Sequence, residues 1–185
     1  MVERTISRVF RFACAALAVA VAGLLVAAPA TAEAPLKPTG FAIRKAPNGL
    51  SYTLLHDMAS TPSSKTALAI RDADVSKRLV FTFPNGASCA TFRAFLTAGF
   101  ARSGQTSRAD QERSRTLGQA CSRASIEPRH RAVIYYNAAT KTTRLWVEKM
   151  GTVRLDGIDS MRAVWSLWFA SPEDVKVRDS LLSRL

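Results

Sequence analysis

The last thirty residues set the tightest limits on the fold. Asp156 to Leu185 holds two of the three tryptophans, Trp165 and Trp168. Met161, Val164, Trp165 and Trp168 recur at steps of three and four, so a helix here carries one continuous apolar stripe. Asp159, or Asp156 before it, is placed to cap that helix. Ser171, Pro172 and Asp174 read as the cap, first and third positions of a closing helix. Its Val175, Leu181 and Leu182 would dock it on the body. A stripe with two indoles needs a broad apolar surface to cover it. Both rings are therefore expected to lie buried against a sheet, away from any ligand. No residue of the stretch has the chemistry of a catalytic group.

The other end of the chain reads as a leader. Arg4, Arg8 and Arg11 precede an apolar run from Phe12 to Ala28, and Ala30-Thr31-Ala32 supplies a small-residue cleavage site. Residues 1–32 are thus expected to be a secretory signal peptide cut before Glu33, with an uncleaved anchor as the alternative. A bacterial periplasm, or secretion, is the expected location. The leader accounts for three arginines and Glu3, which leaves 23 of 26 basic and 13 of 14 acidic residues in the mature part. That excess attracts anionic lipid or acidic ligands, and export argues against nucleic acid as a partner.

Cys89 and Cys121 remain after cleavage. If the helices that carry them are antiparallel neighbours, both cysteines sit toward the same end of the pair. A disulfide and two buried thiols both stay open on this reading. His56 and His130 have no ligand-spaced companions, so no metal and no cofactor is expected.

Between the ends, the pattern is mixed. Glu33–Thr39 reads as a lead-in, Phe41–Arg44 as a short strand, Pro47-Asn48-Gly49 as a turn, and Ser51–Leu55 as the partner strand. Asp57–Lys65 reads as a loop, and residues 33–65 as a whole are poorly defined. In Thr66–Ser76, Leu68 and Ile70 alternate like a strand, while Arg71-Asp72-Ala73-Asp74 suggests a turn. Arg78–Phe83 is a strand stopped at Pro84-Asn85-Gly86. Ser88 caps a helix to about Ala101, with Phe92, Phe95, Leu96 and Phe100 on one face. A polar helix follows over Ala109–Arg123, with Leu117, Ala120, Cys121 and Ala124 on its thin apolar side. Ala132–Tyr136 and Thr142–Glu148 make a hairpin, and Gly151–Leu155 adds an edge. Residues 66–185 then form the body of one α+β domain, an antiparallel sheet with helices packed on one side.

An aromatic-rich strand ending in a turn, a Phe-spaced helix, a Tyr-containing strand, the Gly157–Ala170 run with Trp168-Phe169-Ala170, and Leu181-Leu182 near the terminus recur together in one family. From about Arg78 to Leu185 the chain resembles the chalcone-isomerase-like proteins that bacteria export. Ala170 stands where that family usually has glycine. The resemblance implies an open-faced β-sandwich, a curved antiparallel sheet with helices packed over one side. It also implies either ligand binding, as in relatives that hold fatty acids, or cyclisation of a chalcone. The enzyme's catalytic residues have no matching positions here.

Three functions follow as expectations. The first is binding of a small amphiphilic or aromatic carboxylate, with Arg93, Phe95, Tyr135, Arg144 and Trp146 as candidate ligand-binding residues. Apolar walls with a cation suit such a ligand. The second is an envelope accessory role through the basic surface, on anionic lipid or a protein partner. Its motive is the basic run Arg102–Arg131, which carries seven arginines and three acids. The third is a chalcone-type isomerase, with Arg144 stabilising an enolate and Tyr135 or Tyr136 as donor.

Overall fold

A computed structural model describes residues 34–45, 49–170, 172 and 175–185. The expected leader lies outside the described residues, as do Pro47, Asn48, Ser171 and Asp174. Among the described residues eight strands are formed: β1 (Lys37–Lys45), β2 (Ser51–Met58), β3 (Lys77–Thr82), β4 (Ala87–Ser88), β5 (Ser125–Ile126), β6 (Arg131–Asn137), β7 (Thr142–Val147) and β8 (Gly151–Asp156). Five helices accompany them: α1 (Ala67–Asp72), α2 (Cys89–Arg102), α3 (Arg108–Gln119), α4 (Ile158–Phe169) and α5 (Val175–Leu181). Six strands pair antiparallel in the order β1-β2-β3-β6-β7-β8, and β4 pairs with β5 alone.

Alternation along each strand gives the sheet two unlike faces. The inner face carries Leu54, Phe81, Ile134 and Leu145, all buried under the helices. The helices meet it with the expected stripes. Phe92, Phe95, Leu96 and Phe100 of α2 are buried, as are Met161, Val164, Trp165 and Trp168 of α4. Phe81 is the hub, with ring centroids 5.4 Å from Tyr52 and 5.5 Å from Trp168.

The outer face is read from the strand registers. One row runs Phe41–Leu55–Val80–Val133–Trp146 across five strands. The next row runs Arg78–Tyr135–Arg144–Arg154.

Several expectations needed correction. β1 begins at Lys37, so part of the lead-in is strand, and β2 continues through Asp57 and Met58 into the expected loop. Ala67–Asp72 is helical rather than extended. The Thr66 side chain accepts from the Ala69 N–H (3.2 Å), and the Lys77 ammonium donates to the carbonyls of Ile70, Arg71 and Ala73 (2.8, 2.7 and 3.0 Å). Both ends of this one-turn helix are thereby satisfied. The polar helix α3 stops at Gln119, and Ala124 is exposed.

At the start of α4 neither aspartate caps. Gly157 is the cap residue, at φ 86°, a conformation glycine adopts without strain. Asp159 falls in the first turn, where its charge suits the helix dipole. The closing helix is described over Val175–Leu181, and Pro172 is not helical. Val175 is exposed, but Leu181 is buried and Leu182 packs half-buried against the core as expected, with Val177 in place of Val175.

Cys89 and Cys121 are joined by a disulfide, with Cα atoms 5.5 Å apart. It ties the start of α2 to the chain just past α3.

A buried chain of hydrogen bonds links four elements. Trp165 Nε1 of α4 donates to His56 Nε2 of β2 (3.0 Å). That fixes the proton on Nδ1, which donates to Thr39 Oγ1 of β1. The threonine hydroxyl in turn donates to the Leu181 carbonyl of α5 (3.0 Å). Burial, and then the nearby Lys77 charge, push His56 down to about 3, so it is neutral near pH 7. Gly40 allows the close approach of α5: a Cβ there would lie 2.2 Å from the Ser180 carbonyl oxygen.

Candidate functional site

In a cleft among the described residues, cations meet aromatic surface. The β1–β2 register sets Arg44 opposite Tyr52 on the inner face. Helix α2 contributes Phe95, Gly99 and Arg102, α4 contributes Leu167 and Trp168, and α5 contributes Val177. Phe95 lies with its ring centroid 5.5 Å from Tyr52 and 6.4 Å from Trp168. Two guanidiniums and a phenol therefore stand over a floor of rings and aliphatic side chains. The enclosed room is about 10 Å³, roughly what one water occupies.

The five residues expected to bind ligand do not come together. Phe95 alone lines this cleft. Arg93 lies on the exposed side of α2 and donates to the Cys121 carbonyl (3.0 Å), which braces the end of α3. Tyr135, Arg144 and Trp146 are grouped, but on the outer face of the sheet, with Tyr135 directly opposite Arg144. Tyr136, the other donor considered, points inward. Its ring is buried and its hydroxyl donates to Asp74 (2.6 Å), and burial and that carboxylate hold the phenol above its usual range. Trp168 is buried as expected, yet it also lines the cleft, so only Trp165 is remote from it.

Arg44, Tyr52 and Arg102 were not singled out in the sequence. A signal was present: a hairpin turned at Pro47-Asn48-Gly49 sets residues 44 and 52 across from each other.

Two further titratable groups are buried and structurally engaged, His56 in its hydrogen-bond chain and Lys77 beneath α1. Lys77 lies 5.1 Å from the Trp165 ring centroid. Burial pushes its ammonium down to about 7, against the pull of Asp72 and Asp74. The three carbonyls and the indole face also favour its charged form. Among the described residues, no group of three His, Cys, Asp or Glu side chains is placed to hold a metal.

No family model matches the sequence, and no curated protein matches it. Among solved structures, the crystal structure of the Arabidopsis thaliana fatty-acid binding protein AtFAP1 superposes with a TM-score of 0.60 at 14% identity. The match covers 80% of this chain and 86% of that one. The fold is thus the chalcone-isomerase-like open-faced β-sandwich, a curved antiparallel sheet with its helices to one side.

Proposed function

We propose that the protein is a non-catalytic binder of a small amphiphilic or aromatic carboxylate, held in the cleft between sheet and helices. The observation that carries this is the pairing of Arg44, Arg102 and Tyr52 with the apolar floor of Phe95 and Trp168. Guanidinium groups grip a carboxylate through paired N–H donors, while the rings accept its apolar part. The cleft holds about 10 Å³ as it stands, so it must widen to take a ring or acyl chain. A shared fold does not carry a shared ligand, so the fatty-acid binding of AtFAP1 supports the reading only as analogy. The expected leader would place this binding outside the cytoplasm.

The test is calorimetric titration of the full chain with dodecanoate, cinnamate and their methyl esters. The acids should bind and the esters should not. Arg44→Gln with Arg102→Gln should weaken binding of the acids by about 10-fold or more, since a hydrogen bond to a charged group is worth about 1.5–3 kcal/mol. Acids and esters binding alike, or no loss in the double variant, would defeat the proposal.

A further inference from the structure

The outer face of the sheet carries three of the residues that the cleft does not use, and its registers order it into stripes. The apolar row Phe41–Leu55–Val80–Val133–Trp146 crosses four inter-strand gaps, about 19 Å at ~4.8 Å each. Its β1 end is open, with Phe41 42% and the neighbouring Ile43 76% exposed. Beside it runs the row Arg78–Tyr135–Arg144–Arg154. Arg78 is held by Asp57 and Arg154 by Asp156, but Arg144 makes no ion pair among the described residues. Arg144 also sits directly opposite Arg154. Like charges in register repel, and an anion at this row would relieve that.

We infer that this face docks on an anionic lipid bilayer, with the apolar row against the headgroup–acyl boundary and the arginine row among the phosphates. Charge decides among occupants. A second copy would bring two arginine rows together, so self-association is disfavoured. Aromatic and aliphatic side chains flanked by cations are what an anionic interface takes up. No described helix is long and apolar enough to cross a membrane, so the contact is peripheral for the described residues. The inference is independent of the cleft, which lies on the opposite face of the sheet.

Tryptophan emission supplies the test. Trp165 and Trp168 are buried (0% and 3% exposed), whereas Trp146 lies in the apolar row. The full chain is mixed with vesicles of brominated phosphatidylglycerol or brominated phosphatidylcholine. Quenching is expected with phosphatidylglycerol only, and it should vanish in Trp146→Phe. Arg144→Gln with Arg154→Gln should shift half-maximal quenching about 25-fold in lipid, near fivefold for each cation removed. Raising sodium chloride from low to high concentration should release the unmodified chain in the same way. These positions lie on the outer face, so unchanged urea midpoints are expected for the variants. No quenching in the parent, quenching that survives Trp146→Phe, or indifference to both salt and the arginine changes would overturn the inference. So would a dimer of the parent chain that Trp146→Phe dissolves, since it would make a second copy the occupant.

Discussion

Acidification should weaken this protein well before its carboxylates titrate, and His56 is the reason. In the folded state its Nε2 must accept from Trp165 and its Nδ1 must donate to Thr39. A second proton would turn the acceptor into a donor facing another donor, in a site without water access. Its pKa is accordingly about 3, against 6.5 for an ordinary histidine. Between those values the unfolded chain holds more protons than the folded one, so stability falls as pH falls. The slope approaches about 1.36 kcal/mol per pH unit. The slope is half that at pH 6.5, so from pH 6.5 to 5 the loss integrates to about 1.6 kcal/mol, a large part of what a small domain has. Asp72, Asp74 and Asp110 are held below the usual carboxylate value of 3.8, so their loss begins only at lower pH. Urea unfolding at pH 6.5, 5.75 and 5 measures the slope directly. His56→Gln keeps a donor and an acceptor but cannot titrate, and His130 is common to both proteins. The variant should be less stable at pH 6.5 yet nearly flat over this range. Equal slopes in parent and variant would refute the reasoning.

Other perturbations follow from the same packing. Trp168→Ala should cost about 3–5 kcal/mol in urea unfolding, because it empties a large site against Phe81 and Phe95. Removing residues 172–185 should destabilise comparably, by stripping Val177 and Leu181 from the core. Reducing the Cys89–Cys121 bridge should lower stability by about 3–4 kcal/mol, the chain-entropy value for a loop of this size. Intact mass before and after reduction confirms the state measured. Gly40→Ala should release α5 from β1, seen as faster amide exchange in Val175–Leu181, because its Cβ meets backbone rather than a movable side chain.

What could be read from the sequence tracks how long each periodic signal lasts. Helix α2 and the α4 stripe run for three or more turns, and their buried faces are those the spacing indicated. The β6–β7 hairpin is bounded by turn residues and alternates cleanly, so its two faces were legible as well. Helix α1 is only six residues long. No helical period can show in so short a piece, and the group that completes it, Lys77, comes from the next strand. Caps were less secure than stripes, since Gly157 displaced two plausible aspartates through a backbone conformation that no pattern displays. The cleft was harder still. Phe95 was visible as an aromatic on a helix, but Arg44 and Arg102 join it only through the β1–β2 register and the packing of α2 across the sheet. Arg144 and Trp146 stood out for their chemistry, and the strand parity that puts them opposite the cleft was already readable in β7.

The hydrogen bond from Thr39 to Leu181 spans 142 positions. The Arg184 N–H also donates to the Thr39 carbonyl (2.9 Å), so the edge strand β1 is secured by residues far downstream of it in the chain. Contacts this distant in sequence close late and slowly. During synthesis, β1 and β2 can pair, yet β1 waits without its cover until Leu181 and Arg184 have been made and released. For that interval the growing chain offers an incomplete sheet edge, the feature most prone to mispairing with another nascent chain. A stop codon ahead of Leu181 would make the interval permanent.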